Sequence, residues 1–140
     1  MEIAGIGYQG RSVDDLIRAL SDAHITAVFD VREVPWSRKP GFSKSQLSAS
    51  LARAGIRYVH LRAAGNPREN RRTARSTQES LSRYRQHLVQ APAVLEAIVE
   101  AARKERIALL CFEAAWDECH RSILIEQIAA VHAGTRMLAL

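Results

Sequence analysis

Cysteine is nearly absent from this 140-residue chain, which has only Cys111 and Cys119. Two cysteines cannot build a disulfide framework, so a small secreted scaffold held by bridges is excluded. No run of about 18 apolar residues occurs, which excludes a membrane-spanning helix. Met1-Glu2-Ile3-Ala4 shows no basic stretch leading into an apolar one, so no signal peptide is expected. The expectation is a cytoplasmic protein with reduced thiols and no membrane partner. Internal repeats and low-complexity segments are also missing. What is present, 47% hydrophobic and 25% charged residues, fits one globular domain over residues 1–140. A domain of this size buries roughly 68% of its unfolded surface and needs no metal or disulfide staple.

Lysine is scarce as well. Of the 20 basic residues only Lys39, Lys44 and Lys104 are lysines, and the rest are arginines. Arginine holds phosphate and carboxylate through two hydrogen bonds, where lysine acts as a point charge. The net charge of +5 therefore favours an anionic ligand or nucleic acid, although an arginine-rich composition by itself accounts for the excess. The charge is unevenly spread. Arg62, Arg68, Arg71, Arg72, Arg75, Arg83 and Arg85 face only Glu69 and Glu79 in the same segment, so residues 62–85 carry a surplus equal to that of the whole chain.

The hydrophobic pattern alternates between short apolar runs and amphipathic stretches. Ile3–Tyr8, Thr26–Phe29, Ile56–Leu61 and Ile107–Phe112 read as strands, and Arg136–Leu140 as a short fifth strand or a frayed tail. Ser12 can cap a helix with Val13, Leu16, Ile17 and Leu20 on one face. Ser43 and Ser76 each begin a capping-box spacing, the first opening a helix with Leu47, Leu51 and Ala54 inward, the second a helix to about Val89. Pro92 suits the first turn of another helix. Asp117 can cap a last helix over 118–132, with Gly134 as its stop. Between these, 33–42 is kept irregular by Pro35 and Pro40, and the polar stretch 62–75 reads as a long arginine-rich loop. Apolar strands without alternation are covered on both faces. The expected fold is α/β: a single three-layer domain with a mostly parallel sheet of about five strands.

In such a sheet, ligands bind outside the carboxyl ends of the strands. Those ends carry Tyr8 and Arg11; Asp30, Arg32, Trp36, Ser37 and Arg38; His60; and Cys111, Glu113, Asp117, Cys119, His120 and Arg121. Reactive groups thus gather on the edge where chemistry is expected. The opposite edge offers plain connections.

The residues now form a recognisable series. Gly7-Tyr8-Gln9-Gly10-Arg11-Ser12, Asp30-Val31-Arg32, Pro35-Trp36-Ser37-Arg38, Pro40-Gly41-Phe42-Ser43, Tyr58-Val59-His60-Leu61, Leu109-Leu110-Cys111-Phe112-Glu113 and Cys119-His120-Arg121 run in order almost end to end. This series resembles the bacterial and archaeal family known as domain of unknown function 488. The resemblance implies no particular activity. Carried over position by position, it marks Asp30, Arg32, Ser37, Phe42, His60, Glu113, Cys119, His120 and Arg121. One departure is Ala64-Gly65, where the family usually has Leu-Gly after the third strand.

Cys119-His120-Arg121 is expected in the first turn of the last helix, where free N–H groups and the dipole favour anions. Arg121 would add a bidentate clamp. Cys119 beside His120 and Arg121 would be a low-pKa nucleophile, or else a small buried hydrophobe packed on Ile123. The spacing is not that of the phosphatase loop, which needs arginine six positions after cysteine; position 125 is Ile. Asp30 and Arg32 alternate, so both could face the cleft, or they could pair with each other and fix the loop. Glu113 is a general acid or base, alone or with Asp30, or a carboxylate that holds Arg32 or Arg121. Tyr8, Trp36 and Phe42 could stack on a flat ring or pack the loop. His60 is expected to hydrogen-bond in the site. Gly5-Ile6-Gly7-Tyr8-Gln9-Gly10 falls short of the dinucleotide fingerprint, and neither CxxC nor HxxxH occurs, so no cofactor and no metal are expected.

Three functions remain. The favoured one is an enzyme binding a small phosphate-bearing or nucleotide-like anion, with Asp30, Glu113, Cys119 and His120 catalytic and Tyr8, Arg11, Arg32, Ser37, Arg38, His60 and Arg121 binding. The alternative is a nucleic-acid-binding module using segment 62–85. The third is a redox-responsive binding protein using Cys111 and Cys119, against which the eight-residue separation fixes no geometry. The oligomeric state is not legible.

Overall fold

The computed structural model describes residues 1–140. Five strands form one sheet: β1 (Glu2–Gly7), β2 (Ala27–Asp30), β3 (Arg57–His60), β4 (Ile107–Cys111) and β5 (Arg136–Ala139), in the order β3-β2-β4-β1-β5. Every pairing is parallel, so the sheet is wholly rather than mostly parallel, and 136–139 is a paired strand rather than a frayed tail. The helices are α1 (Val13–Asp22), α2 (Lys44–Arg53), α3 (Arg68–Thr73), α4 (Thr77–Val89), α5 (Pro92–Lys104) and α6 (Arg121–Val131).

Strand residues alternate between two cores. Ala4, Ile6, Val28, Ala108 and Leu110 pack on Leu16 and Leu20 of α1 and Leu47 and Leu51 of α2. Ile3, Phe29, Ile107, Leu109 and Cys111 face the other way, onto Tyr84 of α4, Ile98 of α5 and Leu124 and Ile128 of α6. Three layers result because the central strands β2, β4 and β1 bury both faces, while the edge strands β3 and β5 are only half-covered.

Helix starts follow the capping chemistry in part. Ser12 and Asp15 satisfy each other's backbone N–H groups as a capping box. Ser76 accepts from Glu79 N, while the Glu79 carboxylate reaches one residue further back, to Arg75 N. Ser43 makes no such cap: its hydroxyl accepts from Ser37 N and donates to Ser37 O, tying the irregular 33–42 stretch instead. Ala54 lies past the end of α2 and is exposed, not inward.

Segment 62–75 is not a structureless loop. It holds a 3-10 turn over Arg62–Ala64 and then α3. Ala64 is buried, its carbonyl accepts from the Tyr84 hydroxyl at 2.5 Å, and a side chain on Gly65 would collide with the Glu33 backbone. The Ala-Gly pair therefore seats the segment tightly against the loop after β2.

β1 and β4 are neighbours, with Gly7 opposite Cys111. The chain leaves β1 for α1 on one face and β4 for α6 on the other. That divergence opens a crevice at their carboxyl ends.

Candidate functional site

Gly7 lets the crevice close on one side. A side chain there would run into the carbonyl of Glu113, so only glycine allows the chain after β4 to fold back across the end of β1. The Gln9 side chain accepts from Ala114 N at 3.1 Å and fixes this return. A 3-10 turn over Trp116–Glu118 then leads into α6. Cys119 and His120 precede α6 rather than lying in its first turn, and Asp117 belongs to the 3-10 turn and caps nothing. The return has a result that spacing alone did not show: the sulfurs of Cys111 and Cys119 lie 2.8 Å apart.

Cys119 is 3% exposed and sits among donors. Arg121 N and Arg121 Nε lie 3.5 and 3.4 Å from its sulfur, and His120 Nδ1 lies at 3.5 Å. His120 Nε2 is 2.7 Å from the carbonyl of Val31, which can only accept, so this nitrogen carries a proton. The Tyr84 ring meets the imidazole edge-on at 5.1 Å and holds it in place.

Arg121 is 0% exposed. Its Nη2 donates to the carbonyl of Glu113, its Nε to Cys119, and its Nη1 has no partner. No carboxylate pairs with it. A buried guanidinium without an opposite charge is costly, and the one group in contact that can supply a negative charge is the Cys119 sulfur. The titration picture agrees. The hydrogen bond from Cys111 lowers the Cys119 thiol most; burial opposes this, and His120 and Arg121 lower it further, to about 3. Burial, then the hydrogen bond and charge of Cys119, hold the Cys111 thiol well above its ordinary value. Burial pulls the His120 imidazole down, but the hydrogen bond and charge of Cys119 reverse this, so its pKa is raised. The Cys119 thiol is thus held below its ordinary value beside an imidazole and a guanidinium, and the Cys111 thiol above its own, with a Glu113 carboxylate oxygen 3.2 Å away.

Two chambers open over this pair. The first, about 940 Å³, is lined by Arg71, Arg75, Glu113, Asp117, Glu118, Cys119 and His120, among others. The second, about 420 Å³, reaches Cys111, Tyr8, Arg32, Glu33, Trp36, Arg68 and Arg71. Arg71, Glu113 and His120 belong to both. The thiols thus floor a divided cleft at the carboxyl edge of the sheet.

The structure brings Tyr8, Arg32, Glu113, Cys119 and His120 to this cleft, with Arg121 directly behind the thiolate. Asp30 and Arg32 pair with each other. Asp30 is 0% exposed, and its carboxylate accepts from Arg32 N, Nε and Nη2 at 3.2, 2.9 and 2.7 Å and from the Tyr58 hydroxyl at 2.5 Å. Arg32 Nη1 donates to the carbonyl of Phe42 at 2.8 Å and to the Tyr8 hydroxyl at 3.3 Å, which clasps the loop after β2. His60 Nε2 lies 2.8 Å from the carbonyl of Arg32 and supports the same clasp. Tyr8 and Phe42 stack on each other at 4.6 Å inside the core, while Trp36 is 62% exposed at the rim of the second chamber. Arg11, Ser37 and Arg38 do not line the cleft; Ser37 bonds within its own loop.

Cys111, expected at the end of the fourth strand and in the redox alternative only, and Arg68, Arg71 and Arg75, expected only as part of the basic segment, also line the cleft. The three arginines are also special electrostatically. Within segment 62–85, Arg72, Arg83 and Arg85 are neutralised by Glu69, Glu79 and Glu126 at 2.7–2.9 Å. Arg68, Arg71 and Arg75 have no carboxylate partner, and all three line the cleft.

Cys111, Cys119 and His120 also bring three soft-metal donor atoms within 4.8 Å of one another. A structural zinc takes four. The Arg121 guanidinium on the same sulfur opposes a further cation there.

Residues 12–128 match the family model described as Domain of unknown function DUF488. The chain belongs to this family. No curated protein and no solved structure matches it. The matched span of DUF488 includes the divided cleft except for Tyr8 and the end of β1. No helix of the chain is long and apolar enough to cross a membrane.

Proposed function

We propose that this DUF488 protein is an enzyme that binds a small ligand through an anionic group, phosphate-bearing or nucleotide-like, and acts on it with the Cys119 thiolate. The observation that carries this reading is the buried Arg121, whose only countercharge is the Cys119 sulfur at the floor of the cleft. A thiolate held this way is a nucleophile that needs no separate base. His120 is placed to return a proton to a leaving group on the first-chamber side. Arg71, reaching both chambers, is the natural seat for the anion, with Arg68 and Arg75 flanking it. Trp36 at the rim offers a flat face to a ring. Asp30 and Arg32 act as a structural clasp, and Arg121 as a positioning residue.

The concentration of unpaired arginines at the cleft supports a small anion over an extended nucleic-acid face. Thermal unfolding at low salt tests the choice, against phosphate, sulfate, mono- and dinucleotides, and short single- and double-stranded nucleic acids. A ligand at 100 times its dissociation constant adds about 2.7 kcal/mol, a rise of about 10 °C for a domain of this size. One small anion should give this rise, and Arg71→Ala should abolish it. A shift by nucleic acid alone, erased by moderate salt, would transfer the function to the basic segment. No shift with any anion would overturn the reading.

A further inference from the structure

Cys111 is the group in the cleft that an anion-binding thiolate site leaves unused. It is 1% exposed, belongs to β4, and lies with its sulfur 2.8 Å from Cys119 and 3.2 Å from a Glu113 carboxylate oxygen. The two sulfurs must approach by less than about 1 Å to form a bond of about 2.05 Å. The two thiols are also unequal. Cys119 has the guanidinium and imidazole; Cys111 has the carboxylate and no cation in hydrogen-bond contact. That inequality is what sequential thiol chemistry requires: one sulfur attacks and the other resolves.

We infer that Cys119 and Cys111 form a redox-active dithiol that reduces a low-molecular-weight disulfide with amino-acid-like, zwitterionic ends. The inference rests on Cys119 being the nucleophile of the proposed function; it adds a resolving residue and replaces the phosphate-bearing ligand with one whose anionic group is a carboxylate. Cys119 attacks one sulfur of the substrate; the S–S bond breaks, and the first thiolate leaves with the proton of His120. A mixed disulfide remains on Cys119. Cys111 then gives its proton to Glu113, and its sulfur attacks that of Cys119. The bond to the substrate breaks, and the second thiolate leaves with the proton held by Glu113. Two electrons and two protons pass from the protein to the substrate. The protein is left with a Cys111–Cys119 disulfide, and the substrate becomes two thiols.

Charge and access select the substrate. Cys119 is buried at the floor, so a protein disulfide does not reach it and a small molecule does. The first chamber is lined both by arginines from α3 and the residues after it, Arg71 and Arg75, and by carboxylates of the 3-10 turn, Asp117 and Glu118. A group with a carboxylate and an ammonium matches both sets of charges. A substrate with charge of one sign leaves one set opposed to it.

The test uses the full chain, reduced and free of reductant, with oxidised glutathione, dithiodiglycolate (anionic only) and cystamine (cationic only) at equal concentrations. Intact mass and peptide mapping follow the products. Oxidised glutathione should convert the protein to the Cys111–Cys119 disulfide at least about tenfold faster than either single-sign disulfide. Cys111→Ser should stop at a stable mixed disulfide on residue 119, and Cys119→Ser should not react. Thermal unfolding establishes that each variant is folded. Three results would each overturn the inference: equal rates with the three disulfides, a wild-type protein that stays as the mixed disulfide, or a stoichiometric zinc that protects both thiols. If anions still stabilise the protein through Arg71 while no disulfide forms, the dithiol fails and the anion-binding thiolate enzyme stands.

Discussion

A thiolate stabilised by fixed charges should reveal itself through the shape of its pH profile rather than through high reactivity. An ordinary thiol with a pKa of about 8.5 is half ionised at that pH and about one part in a thousand ionised near pH 5.5. Its alkylation by iodoacetamide therefore slows by about 500-fold across that interval. Cys119, held at about 3, is fully ionised throughout, so its rate should be flat. The same stabilisation makes each thiolate a poorer nucleophile. With a Brønsted slope of about 0.45, each unit of lowered basicity costs about half a decade per thiolate. The folded chain should therefore gain steadily on the urea-unfolded one as the pH falls. Restricted access to Cys119 scales the whole curve and leaves its shape unchanged. Mass spectrometry of the alkylated peptides assigns the site: residue 119 should be labelled and residue 111 should stay silent, because burial and the neighbouring thiolate keep it protonated. Arg121→Met removes one opposite charge and should move the inflection up by about one to three units. An inflection for residue 119 near that of the unfolded chain would refute the thiolate and, with it, the proposed function.

Other outcomes follow from the packing. Arg32→Leu strands the Asp30 carboxylate at zero exposure and should cost about 3–5 kcal/mol, lowering the melting temperature by about 10–20 °C; the Asp30→Asn, Arg32→Leu double variant should recover part of this loss. Gly7→Ala forces the Glu113 backbone away from the end of β1 and should abolish anion stabilisation as well as lower the melting temperature, whereas a change in stability alone would mean the Glu113 turn can shift without disturbing the cleft. Tyr84→Phe leaves the Ala64 carbonyl without its donor and should cost about 1–3 kcal/mol by urea unfolding.

Much of the architecture was legible because it rests on hydrophobic period. The strands, the α/β layering and the gathering of reactive groups at the carboxyl edge all follow from which residues are apolar and where they repeat. Of the expected residues, Tyr8, Arg32, Glu113, Cys119 and His120 line the cleft and Arg11, Ser37 and Arg38 do not; the geometry was not legible. Cys111 and Cys119 meet because Gly7 admits the return of the chain after β4, and a spacing of eight does not encode that return. Asp30 and Arg32 turned toward each other because the chain bends just past the end of β2. Arg121 faces inward because of its rotational position at the start of α6, so it serves the thiolate rather than clamping a ligand directly. The arginines of segment 62–85 were visible as a charge surplus, but which of them stay free depends on carboxylates as distant as Glu126, which takes Arg85.

The short helix α3 buries none of its side chains. It nonetheless supplies Arg68 and Arg71 to the cleft, while Cys111, Cys119, His120 and Arg121 are anchored in the core. Under the proposed function, selectivity and chemistry are therefore written in parts of the chain with different tolerance for change. Substitutions in α3 replace no buried side chain, so they would redirect selectivity at little cost to folding. Changes around the thiols would disturb the fold and the proposed chemistry together. A lineage built on this plan would then change its ligand while keeping its thiols.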